Sequence, residues 1–195
     1  MTAWRSTSIG IAAALLSAPL ISCSSAPTRI YTLYAVPPAS ITPYAGPPIR
    51  IDSVHMPPAL DRIEVVSDIA PGELKVSDLD HWSAPLPHVA KQALSADLVA
   101  RLPPGRAIFP HLAKPEDALG VAVDILNFGA DTKGADLEAS WIITSTNLGT
   151  ASRRGSGRFR SGGSVAGATA TAQALSALLA QVADQIVADL EHEAN

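Results

Sequence analysis

The sequence predicts an α+β fold, a mostly antiparallel sheet with two main amphipathic helices packed on one face of a single domain. Three observations predict it. Apolar residues recur at helical spacing in two segments, 86–102 and 175–190. Three consecutive strand-like runs fill 119–160, which reads as an antiparallel meander. The first half is cut by prolines into short β-branched runs.

The first segment is an export signal rather than part of the fold. Arg5 supplies a positive start, residues 9–21 (IGIAAALLSAPLI) an apolar stretch, and small residues flank Cys23. A helix needs roughly 20 apolar residues to span a bilayer, so this interrupted run is too short to stay as a membrane helix. Cys23 is the single cysteine, so no intramolecular disulfide can form and its role is that of a thiol. Leu20, Ile21, Ser22 and Cys23 together resemble the bacterial lipobox. That resemblance implies cleavage before Cys23, diacylation of its thiol and acylation of the new amino group. Three acyl chains at about 0.8 kcal/mol per buried CH₂ would hold far more firmly than one. The residue after the cysteine is Ser24 rather than Asp, which by resemblance to enterobacterial sorting signals favours the outer membrane. The organisation expected is therefore a signal peptide over 1–22, a lipidated N-terminus and short tether over 23–29, and one domain over 30–195. No cofactor is expected beyond the covalent lipid.

The whole chain carries a formal charge of −4, and losing Arg5 makes the mature chain one unit more negative. Such a balance argues against nucleic acid as a partner, because neutralising phosphates needs a basic surface.

Within the domain, RIYTLYAV (29–36) reads as a strand stopped by Pro37 and Pro38. Residues 37–48 hold five prolines and read as an extended loop. IRIDSV (49–54) alternates with period two, the mark of a half-buried strand. IEVV (63–66) and ELKV (73–76) are two short strands joined by a turn at Pro71 and Gly72. Ser83 is placed to cap a helix whose first turn tolerates Pro85 and Pro87, and whose apolar stripe runs from Leu86 through Leu94 and Leu98 to Leu102. A short strand follows over 107–109. In the middle strand of the meander, Leu137, Ala139, Trp141 and Ile143 share the face expected to be core. The closing helix carries Leu175, Leu178, Leu179, Val182, Ile186, Val187 and Leu190 in one stripe.

The order of these elements resembles a known family. VHMPPALDRIEVV (54–66), HWSAPLPHVAKQALSADL (81–98), LEASWII (137–143) and the Ala/Leu-rich last helix are similar to the ABC-type transport auxiliary lipoproteins, the PqiC-like proteins. The resemblance implies a non-enzymatic periplasmic lipoprotein, anchored to outer-membrane lipid through Cys23, that assists an MCE-domain protein and its ABC transporter in moving lipid between membranes. Ala59 stands where family members often carry an aromatic residue.

Read from the residues alone, Pro57, Leu60, Asp61 and Arg62 lie on a loop with two readings: a partner-binding surface in which Arg62 offers a planar fork to a carbonyl or phosphate, or a structural turn in which Asp61 satisfies loop amides and Arg62 covers the sheet edge. Trp82 and Trp141 are structural anchors, large apolar residues in contexts that favour the core. If SRRGSGRFRSGG (152–163) is extended, Arg154, Arg158 and Arg160 share one face, which either meets an anionic surface or is a solvated face on a net-acidic protein, while Phe159 and Arg153 share the other. Catalytic signatures are sparse. Gly155, Ser156 and Gly157 lack the full nucleophile elbow, no phosphate loop or dinucleotide fingerprint is present, and the five histidines are scattered. Asp78, Asp80 and His81 read as a capping cluster at a helix entry rather than a metal site. Two rival readings stay open: a lipid-binding module with an apolar groove along Trp141, Ile143 and the last helix, and a small periplasmic hydrolase using His81 or His88 with a serine. A homo-oligomer is also compatible with the sequence.

Overall fold

The computed structural model describes residues 26–191 apart from 71, 132 and 146–151. Eight strands and two helices follow in chain order: β1 (Arg29–Tyr31), β2 (Ile49–His55), β3 (Glu64–Ala70), β4 (Glu73–Trp82), α1 (Leu86–Arg101), β5 (Ala107–Ile108), β6 (Leu119–Asp131), β7 (Gly134–Ser145), β8 (Arg153–Gly162) and α2 (Gly167–Glu191). They build a five-stranded sheet in the order β5-β2-β6-β7-β8 and a three-stranded sheet in the order β1-β4-β3. Both helices pack on one face of the larger sheet, α1 over β2 and α2 over β7 and β8.

The α+β class and the meander are as the sequence predicts, but the sheets are mixed. β2 runs parallel to both β5 and β6, and β1 parallel to β4. Parallel neighbours need a long crossover, and the β3-β4 hairpin with α1 supplies it between β2 and β5. The antiparallel part is β6-β7-β8 and the β3-β4 hairpin.

Three local expectations change for physical reasons. The strand expected over 29–36 ends at Tyr31, because the helices capture the amides beyond it. The Tyr34 amide donates to Ser176 Oγ at 3.2 Å, and the Val36 amide to Asp97 Oδ1 at 3.0 Å. Ser83 does not cap α1. Its own amide donates to the Tyr31 carbonyl at 2.7 Å, and Pro85 occupies the cap position without a side-chain bond. The need for a cap is small, since Leu86 donates to the Arg62 carbonyl at 3.1 Å and Pro87 has no amide hydrogen. Asp78, Asp80 and His81 lie in β4 instead of at a helix entry. Asp80 accepts from Arg29 Nε at 2.7 Å and Nη2 at 3.0 Å, which fastens β1 to β4.

Core residues come from both helices and the facing side of the large sheet. Trp141 is 1% exposed, and Leu137, Ala139 and Ile143 are buried beside it. The Trp141 indole N–H donates to Asp189 Oδ2 of α2 at 2.9 Å, so its polar edge is satisfied on burial. Gly155 on β8 makes room for that contact, because a Cβ there would lie 2.5 Å from Trp141 Cε2 and 2.6 Å from Asp189 Oδ2. Gly155→Val is therefore expected to destabilise the fold by about 2–3 kcal/mol through overpacking, read as a lower urea midpoint at unchanged slope.

Residues 32–48 form a strap over the helix layer, with Leu33 and Tyr44 buried beneath it. Arg101 closes the clasp that holds the strap. Its Nη1 donates to Asp97 Oδ1 at 2.9 Å and to the Val36 carbonyl at 3.1 Å, its Nε reaches Asp184 Oδ1 at 2.6 Å, and its own carbonyl accepts from Thr42 at 2.8 Å. Burial pushes the Asp97 carboxyl up to about 6, against the pull of the Val36 amide and the Arg101 guanidinium. The folded chain thus binds a proton between about pH 4 and 6 that the unfolded chain releases, so this group's contribution to stability falls as pH rises through that window. Relative to Asp97→Asn, the wild type should gain about 2 kcal/mol on going from pH 7 to pH 4. Denaturant melts of both proteins at the two pH values check this, since the opposing effects of Asp52 and Asp80, whose carboxyls are held low, cancel in the difference.

Candidate docking surface

The loop 56–62 leaves β2 through Met56, Pro57 and Pro58 and is closed by its own backbone. Leu60 and Asp61 amides donate to the Pro57 carbonyl at 2.9 and 3.3 Å, and Arg62 donates to the Leu60 carbonyl at 2.9 Å. Two long-range bonds then fix its exit, Leu86 to the Arg62 carbonyl at 3.1 Å and Trp82 to the Ile63 carbonyl at 2.5 Å. A proline-framed turn tied to a helix start and a strand end is rigid before any partner arrives.

Leu60 turns inward and packs against the core, and Pro57 is half-buried. Both line an apolar depression of about 160 Å³, together with Ala59, Val66, Leu74, Leu126, Asn127, Phe128 and Gly129. Asp61 is exposed and its carboxylate has no hydrogen bond or ion pair among the described residues. Arg62 is 40% exposed and touches Glu64 Oε2 only at 3.4 Å, so its fork remains available. Pro57, Leu60, Asp61 and Arg62 therefore lie together on one loop, two lining a depression and two following them in the chain.

Leu74, Leu126 and Phe128 belong to this surface and are not part of the sequence reading. A bulge in β6 between Ile125 and Asn127 inserts Leu126 as an extra residue, leaving it 58% exposed. The signal was present, since Leu126 follows the core residue Ile125 where alternation calls for polar, then apolar, then polar. Ile63, Val76 and Leu79 extend the exposed apolar surface over the three-stranded sheet and its approach.

On β8 the alternation is complete: Arg154, Arg158 and Arg160 are exposed, while Arg153, Gly155, Gly157 and Phe159 point to the helix side. Register places Asn127, which borders the depression, in one row with Glu138 and Arg158 across β6, β7 and β8. Arg158 pairs with Glu138 through both Nε and Nη2 at 2.9 Å. Trp82 and Trp141 are 3% and 1% exposed and sit in the core. Ile143 and the apolar stripe of α2 are buried with Trp141, so packed side chains occupy the place where a lipid groove would run.

Among the described residues no group of three His, Cys, Asp or Glu could hold a metal ion, and no histidine bonds to a serine. None of the described helices is long and apolar enough to cross a membrane. Cys23, the expected lipidation site, lies outside the described residues.

Two helices on a five-stranded mixed sheet, with a smaller three-stranded sheet beside it, define an α+β class shared with solved proteins. A crystal structure of an uncharacterized protein superposes with a TM-score of 0.67 at 15% identity, covering 85% of this chain and 99% of that one. Protein XCC0632 from Xanthomonas campestris superposes with a TM-score of 0.59 at 18% identity, covering 82% of this chain and 92% of its own. At such identities the likeness is one of fold. No curated protein matches the sequence. The sequence itself carries the assignment further: the chain belongs to the ABC-type transport auxiliary lipoprotein component family, which matches residues 31–187. It is thus an auxiliary lipoprotein of a transport system.

Proposed function

We propose that this protein is the outer-membrane-anchored, non-enzymatic auxiliary subunit of an MCE-type, ABC-driven system that moves lipid between membranes. The family match over 31–187 is the observation that carries the reading. The lipobox at 20–23, followed by Ser24, supports an acylated Cys23 in the outer membrane facing the periplasm. From Cys23 to the start of β1 at Arg29 is six residues, which span at most about 20 Å, so the domain would stand close to the lipid surface.

In this reading the MCE-domain partner docks on the loop 56–62. An apolar side chain of the partner fills the depression beside Leu60, and Asp61 and Arg62, next in the chain, supply charged contacts. Interfaces concentrate their energy in such apolar anchors ringed by polar contacts, and a preformed loop lowers the entropy cost of binding. Arg62→Ala should weaken partner binding about tenfold in pull-down titrations with the solubilised MCE protein, while the thermal midpoint moves little. Parallel losses of binding and stability would assign Arg62 to holding the fold.

A further inference from the structure

The described sheets have four edges, and three are blunted. β1 and β5 are three and two residues long, and the register of β3 against β4 is broken by irregularities. β8 differs. It is ten residues long, pairs with β7 without a bulge from Arg153 to Gly162, and ends the sheet order, so no described strand covers its outer side. Alternate residues of an edge strand direct N–H and C=O outward, and such a row is a template for one more strand.

The side chains specify what that strand would carry. On the solvent face, β7 presents Asp136 and Glu138 opposite Arg160 and Arg158. Acid on β7 is followed by base on β8, and beyond β8 no acidic strand follows. Arg154 and Arg160 make no ion pair among the described residues, and Arg154 lies opposite Ile142 instead of a carboxylate. On the helix face, Gly155 and Gly157 offer no side chain and Phe159 is half-buried, packed against the core. A strand laid there would place acidic residues beside Arg154, Arg158 and Arg160, and apolar residues beside Phe159.

We propose that the outer edge of β8 receives an extended segment of a partner protein in which acidic and apolar residues alternate, added as a sixth strand. Backbone hydrogen bonds supply the affinity and the three arginines the register and selectivity, as in other strand-addition complexes. This site is separate from the loop 56–62, so it stands or falls independently of the docking described above.

The test uses the full-length protein in mild detergent and a synthetic ten-residue peptide of alternating glutamate and valine, with a lysine–valine peptide as control. Hydrogen exchange followed by mass spectrometry should show slowed exchange across 153–162 with the glutamate peptide alone. Arg154→Glu combined with Arg160→Glu should weaken its binding about tenfold, since it reverses the two exposed charges that would meet the glutamates. Both positions are exposed, so the variant should fold, and an unchanged thermal midpoint checks that. Equal protection by both peptides, or protection elsewhere, would overturn the proposal. So would protection of 153–162 that rises with protein concentration alone, which marks a second copy as the occupant, or binding of phosphatidylglycerol vesicles without peptide protection, which marks a lipid surface.

Discussion

Cys23→Ala is expected to remove the protein from the outer-membrane fraction, leaving it unanchored or uncleaved. In the proposed reading the thiol of the single cysteine carries the diacyl group, and cleavage before position 23 depends on the same residue. Without it no acyl chain is added, and the described part of the chain offers no helix that could replace the anchor. Acyl chains contribute about 0.8 kcal/mol per buried CH₂, so their loss is all-or-none on the scale of membrane fractionation. Intact-mass measurement should find the wild type heavier than residues 23–195 by its acyl groups, and the variant uncleaved or unacylated. The domain should stay folded, because it begins beyond the tether. A variant still cleaved normally and still pelleting with outer membranes would show that something other than Cys23 holds it.

The largest loss of stability should come from Arg101→Ala. Arg101 is 3% exposed and joins Asp97, Asp184 and the strap at Val36. Its removal leaves the Asp97 carboxylate buried at 0% exposure without a counter-charge, and one of its oxygens, Oδ2, has no partner even in the wild type. Breaking a buried pair in this way typically costs 3–5 kcal/mol, so the thermal midpoint should fall by about 10 °C. Arg158→Ala, which removes an ion pair from a side chain 77% exposed, should leave the thermal midpoint nearly unchanged and serves as the control. Comparable small losses from both would mean that the clasp does not hold the strap.

Local periodicity and turn chemistry carry much of the fold into the sequence. The stripes from Leu86 to Leu102 and from Leu175 to Leu190, the inward set at 137, 139, 141 and 143, and the outward arginines of β8 can all be read by counting spacings. What could not be read depends on partners distant in the chain. RIYTLYAV has strand propensity throughout, yet Ser176, 142 residues from Tyr34, and Asp97, 61 residues from Val36, take its amides. Asp97 and Arg101 stand four apart and look like an ordinary surface pair on α1, and only the strap crossing over them makes the pair buried. The parallel pairing of β2 follows from where the crossover sets β5 and β6 down, which no strand's own residues encode.

The candidate docking surface was legible in part for the same reason. Prolines and the Leu60, Asp61, Arg62 run mark the loop 56–62 as rigid and presented. That the loop faces Leu126 and Phe128 is a matter of tertiary placement, since those two residues lie more than 60 positions away in the chain.

The central claim is that this lipoprotein serves an MCE-type lipid transporter. It is tested most directly by affinity purification of the full-length protein at native expression from its own membranes in mild detergent, with mass spectrometry of what co-purifies. The account predicts an MCE-domain protein in the eluate, depleted when Arg62 is replaced by Ala. An eluate with the anchored, folded lipoprotein and no MCE-domain protein would contradict it.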